Sequence, residues 1–127
     1  MNLMEELAAH LEMAGLGTVP DARRDGDIHW GRMPETPDEC VCIFSTDSGT
    51  GGPDGPARFQ IMNRAKTVKA AYEKSCAIAD ELDEFDGFLA GDGRKVIIEV
   101  MNAATGLGAD TKKREIYVTN ISVKYCD

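Results

Sequence analysis

Three groups of residues in this 127-residue chain have types and spacings that could support chemistry: a glycine-rich loop, a run of carboxylates and four cysteines. The loop TDSGTGGPDGP, residues 46–56, has the backbone freedom to cradle an anion. A phosphate-binding loop also needs GxxxxGK[ST] running into a helix, whereas this one has no lysine, leads into a strand and loses donors at Pro53 and Pro56. It reads as a mobile contact loop or hairpin tip. The carboxylates Asp80, Glu81, Asp83, Glu84 and Asp86 lack the alternating oxygen ligands, internal glycine and closing glutamate of a calcium loop, and read as a solvated face. Cys40 and Cys42 share one face of a strand, Cys76 falls in a helix and Cys126 is next to last. With no CxxC pair among them, they read as reduced thiols of a cytosolic protein, not as a disulfide framework or a soft-metal site. His10 is expected at a solvent-facing helix edge and His29 on a strand beside Trp30. Neither has a serine or cysteine in a nucleophile setting. No catalytic set, cofactor site or metal site emerges, so function is expected to lie in surfaces.

Composition sets the outer limits. Apolar content of 43% with 28% charged residues is ordinary for a globular protein of one domain, and no window approaches the roughly 20 apolar residues of a membrane span. The first residues, MNLMEELAAHLEMAGLG, are acidic where a signal peptide would be basic, and read as structure. The net charge of −8 is lopsided: residues 1–63 hold 4 basic against 11 acidic groups, residues 64–127 hold 10 against 11. No basic stripe could neutralise a row of phosphates, so tight nucleic-acid binding is not expected. An acidic surface suits a passage through which DNA must slide without being gripped.

The elements that would carry such surfaces follow from hydrophobic spacing. Residues 2–14 form a helix with Leu3, Leu7 and Leu11 inward, ended by Gly15 and Gly17. A polar connector, 18–27, leads to a strand over 28–33, where Trp30 is a core anchor or, if exposed, an interface aromatic. The two prolines of MPETPD then force a bend. Residues 39–45, ECVCIFS, are apolar on both faces and should be covered on both. Residues 58–64 make the next strand. Glycine-rich turns separate the long helix that follows from a strand over 95–101; a further link, 102–110, precedes the last strand, 114–126. The order α-β-β-β-α-β-β predicts an α+β domain: a mostly antiparallel sheet of about five strands with two helices, over residues 1–127.

The stretch 58–86, RFQIMNRAKTVKAAYEKSCAIADELDEFD, passes from a period of two residues to one near 3.6, a strand running directly into an amphipathic helix. Arg64, Lys66, Lys69 and Lys74 lie toward the helix start and the acidic run toward its end. Each such charge forgoes or costs roughly 0.3–1 kcal/mol against the macrodipole. That order is tolerable if the charges are wanted between neighbouring subunits. Arg58 and Arg64 share a strand face with Gln60 and Met62, a contact surface if no helix covers it.

The short helix ending in GLG, GRMPETPD before ECVCIF, the glycine-rich loop, RFQIMNR leading into a long helix and the closing REIYVTNISVKY resemble phage minor capsid proteins of the tail terminator type. The resemblance spans nearly the whole chain. It implies an α+β subunit that closes, with copies of itself, into a hexameric ring at the head-proximal end of a long non-contractile tail. Its partners would be the major tail tube protein and a head completion or neck protein; it implies no catalytic residues and no cofactor. Gly51, Gly52, Arg58, Arg64, Lys66, Lys69, Asp83 and Glu84 are the expected interface residues, in a virion protein made in the bacterial cytoplasm. The alternatives are another neck component, or a small ligand-binding or enzyme domain using loop 46–56 and the acidic helix end.

Overall fold

The computed structural model describes residues 2–46, 56–91 and 93–126. Helix α1 (Leu3–Met13) starts where Asn2 Oδ1 accepts the Glu5 N–H at 2.8 Å, and Leu3, Leu7, Ala8 and Leu11 form its buried stripe. Strands β1 (Ile28–Trp30), β2 (Cys40–Ser45) and β3 (Ala57–Ala65) precede helix α2 (Val68–Leu82), and β4 (Phe85–Phe88), β5 (Lys95–Ala109) and β6 (Glu115–Tyr125) follow it. Thr67 caps α2 by accepting the Ala70 N–H at 3.1 Å. The fold is α+β, as expected.

The six strands of the described residues form one sheet in the order β1-β2-β3-β6-β5-β4, antiparallel except for β1 beside β2. One face carries Val41 and Ile43, Phe59 and Ile61, Ile121 and Val123, Val96 and Ile98, and packs with the α1 stripe and with Ile78 and Leu82 of α2. Trp30 is half-buried against this core. Among the described residues, no helix lies on the opposite face. There the segment 31–39 crosses over one end as a strap, above Cys40 and Cys42, which are both buried. Strand β2 is thus covered on both faces over Cys40–Ile43, but by a strap of irregular chain on one of them. Burial pushes the Cys42 thiol up to about 11 and raises that of Cys40, so neither ionises near neutrality.

Four expectations change. The strand expected over 28–33 ends at Trp30, because Gly31 turns the chain with φ +82°. Helix α2 stops at Leu82 instead of running through the acidic stretch: Asp83 is extended, Glu84 takes φ +56°, and residues 85–88 pair with β5 as a sixth strand. Arg64 lies on β3 and Lys66 precedes the cap, so the reversed charge order on the helix itself is reduced to Lys69 and Lys74 against Asp80 and Glu81. The link expected at 102–110 is the second half of β5, paired to β6 through three register shifts.

His10 is the fourth. It is only 3% exposed, inside the subunit and not at a solvent edge. Its Nδ1 accepts the Ala90 N–H at 2.9 Å, which leaves Nε2 to donate to Glu81 Oε1 at 3.0 Å, and its ring meets Phe85 edge-on at 4.7 Å. The histidine therefore ties α1 to the end of α2 and to the turn after β4. Beside it, Glu6 Oε2 stands 2.8 Å from Arg94 Nε, and the Arg94 guanidinium lies 5.0 Å over the Tyr125 ring while hydrogen-bonding its hydroxyl.

Candidate functional site

The eight expected contact residues separate into distinct places. Gly51 and Gly52 lie outside the described residues, as does most of loop 46–56. Arg58 is exposed on the helix-free face, near Gln60 and Met62, so this part of the face is open to solvent contact. Lys66 and Lys69 are 71% and 84% exposed and hold only loose ion pairs, to Asp38 at 3.5 Å and Glu73 at 4.0 Å. Asp83 and Glu84 are exposed at the other end of α2. A helix of 15 residues spans roughly 22 Å, so the two ends cannot meet within one subunit.

Arg64 is different. It is 5% exposed, and its guanidinium is filled by backbone carbonyls of the strap: Nη2 donates to Pro34 O at 2.7 Å, Pro37 O at 2.7 Å and Glu35 O at 3.3 Å, while Nε donates to Asp38 O at 3.0 Å. Prolines 34 and 37 have no N–H to give and bend the chain, so these carbonyls converge with no ladder partner. Arg114, immediately before β6, which pairs with β3, completes the clamp. Its Nη1 donates to Glu35 O at 2.6 Å and to Asp38 Oδ1 at 3.3 Å, and its Nε and Nη2 hold Asp110 Oδ2 at 2.9 and 2.8 Å. The Arg114 backbone N–H holds the Asp110 carboxyl below its ordinary range, helped by the guanidinium and opposed by desolvation. A hydrogen bond from Lys112, whose Nζ is 2.8 Å from Glu35 Oε2, does the same for Glu35. The MPETPD segment is thereby locked to the tip of the β5–β6 hairpin.

Sequence reasoning missed Arg114 and the buried role of Arg64. The readable signal was the pair of prolines in MPETPD, which presents bare carbonyls that need donors from elsewhere.

A cleft of about 590 Å³ opens beside the strap, lined in part by Asp25, Asp27, His29 and Pro37. Its polar groups hold the surrounding chain: Asp27 Oδ1 accepts the Thr18 N–H at 2.7 Å, and His29 Nε2 is 3.0 Å from Gly26 O. Among the described residues, no group of His, Cys, Asp and Glu is arranged to hold a metal ion. The arrangement offers contact surfaces: the open sheet face, the charged ends of α2 and the free side of β5.

A family model described as bacteriophage tail terminator protein matches residues 10–126. No curated protein and no solved structure matches the chain. With the match running from within α1 to the end of β6, the chain belongs to the bacteriophage tail terminator family and is a structural protein of the phage particle.

Proposed function

We propose that copies of this chain close into a ring, a hexamer, that caps the head-proximal end of the tail tube and joins it to the head or neck. The family match over residues 10–126 carries this reading. The role is one of contact, not catalysis, and needs no cofactor. Subunits meet head to tail, through two different patches, as a closed ring with rotational symmetry requires. Lys66 and Lys69 at one end of α2 and Asp83 and Glu84 at the other are exposed charges of opposite sign, too far apart to neutralise each other within a subunit. Arg58 is exposed for contact with the tube or the neighbour, and Gly51 and Gly52 are assigned to the same contacts from the sequence alone. The acidic surplus of residues 1–63 is available to line the DNA passage.

Light scattering over a range of concentrations, with and without the tail tube protein, tests the ring. A mass of several subunits, in solution or on the tube, is expected; a monomer under every condition overturns it. Reversing Lys66 and Lys69 to glutamate should impair assembly, and acidic-to-basic changes at Asp83 and Glu84 should restore it. A ring that binds head components and ignores the tube would instead make the protein a completion factor of the neck.

A further inference from the structure

His10 is buried, ionisable and unused by the contacts proposed above. Its Nδ1 faces the backbone N–H of Ala90 at 2.9 Å, a group that can only donate. Nδ1 must therefore be an unprotonated acceptor, and the single proton of the neutral ring belongs on Nε2, 3.0 Å from Glu81 Oε1. A second proton has one place to go. It adds to Nδ1, and two N–H groups then point at each other across the Ala90 contact.

The surroundings decide which contact gives way. Glu81, from α2, holds a charged ring as well as a neutral one, because the same 3.0 Å contact becomes an ion pair. Among the described residues, the other charged groups on this side of α1 are Glu6, one turn before His10, and Arg94, whose Nε lies 2.8 Å from the Glu6 carboxylate. Asp80 beside Glu81, and Glu84 and Asp86 on either side of Phe85, are exposed. A positive ring is thus met first by a carboxylate, and the contact between the helices survives.

The turn Leu89–Gly91 is the weaker side. Ala90 stands at φ +51°, a left-handed conformation that an alanine does not favour. The foot of the turn is secured separately: the Leu89 N–H bonds Arg94 O at 3.1 Å, the Gly93 N–H bonds Leu89 O at 2.7 Å, and the Leu89 side chain is fully buried. Only the crest depends on the ring.

We propose that His10 is a proton-operated latch between α1 and the turn Leu89–Gly91: neutral, it holds the crest of the turn, and protonated, it releases Ala90 while keeping Glu81. Acidification then loosens the link between β4, the edge strand, and β5 without parting the two helices. The latch belongs to the single subunit and does not depend on the ring reading.

NMR on the full chain, following the His10 ring and the backbone amides from about pH 8 to about pH 5, where histidine changes charge, tests it. The protection factor of the Ala90 amide should fall at least about tenfold with the same midpoint as the His10 ring, while those of Leu89 and of Ile121 in β6 hold. His10→Asn, whose Oδ1 can accept the Ala90 N–H and takes up no proton, should keep Ala90 protected throughout. The wild-type titration decides the matter even if that variant folds poorly. A ring that titrates while Ala90 protection stays flat overturns the latch. So does a loss of turn and core amides together, which would make His10 a support of the whole fold, and so does a ring that takes up no proton across the range.

Discussion

The strap, residues 31–39, and the free stretch of β5, residues 101–109, are equally long pieces of chain at the rim of one sheet, and they dispose of their backbone polar groups in opposite ways. The strap holds Arg32, Glu35, Asp38 and Glu39, and two arginines from the sheet close its carbonyls inside the subunit. The β5 stretch holds no charge, and on one side its backbone meets no strand among the described residues. Charge here is concentrated where irregular chain must be closed off from water and withheld where regular chain stays open. An unpaired carbonyl in the interior is a cost to the monomer; an unpaired strand edge is a place for another chain.

The sharpest way to break that contrast is Arg64→Ala. The substitution strips the donor from four carbonyls and uncovers Cys40 and Cys42, and urea denaturation should register a loss of about 3 kcal/mol. Thiol labelling of Cys42, suppressed by burial in the wild type, should accelerate at the same time. A variant as stable as wild type would mean that the strap is dispensable.

Acid should loosen the strap next. Asp110 and Glu35 titrate below their ordinary values in the folded protein, so their stabilisation is complete above the ordinary carboxylate range and is lost as pH falls through the depressed values. Thermal melts taken downward from neutral pH should therefore show the difference between wild type and Asp110→Asn shrinking only below that range. Lys66→Ala should matter less, under about 1 kcal/mol, because its partner Asp38 is 3.5 Å away and the lysine is 71% exposed; added salt should erase the effect. Smallest of all is Leu107→Lys in the dissociated protein. Its stability should stay within about 0.5 kcal/mol of wild type, since the side chain is 54% exposed, and a larger loss would show that the rim already supports the monomer.

Most of the architecture was legible because the core writes a regular pattern. Val96 and Ile98, Ile121 and Val123, Phe59 and Ile61 alternate as a one-sided sheet demands, and Ala71, Ser75, Ile78 and Leu82 repeat as a packed helix face demands. The pattern fails where nothing is buried to enforce it. Residues 101–109 are mostly exposed on both faces, so no alternation marks them, and pairing to β6 alone makes them strand. At Phe85 the spacing from Leu82 fits a helix equally well, and the His10 ring and the β5 ladder decide otherwise. His10 and Arg64 look like surface residues until partners 80 and 26–30 positions away in sequence are placed beside them. For the contact surfaces, Lys66 and Lys69 were readable as exposed charge, whereas the free edge of β5 follows from the length of β4, which sequence spacing does not record.

Asp83 shows what that dependence on length entails for the family's variation. Its backbone N–H ends α2 on Ala79 O at 2.8 Å, its carboxylate reaches Val100, and Glu84 turns the chain straight into β4. Helix, turn and strand are counted off residue against residue here, so one inserted or deleted position between Leu82 and Phe85 would pull Asp83 from Val100 or Phe85 from His10. The hairpin tip is equally fixed in number, since Asp110, Lys112 and Arg114 must all reach their partners. Relatives that lengthen or shorten this chain should do so elsewhere.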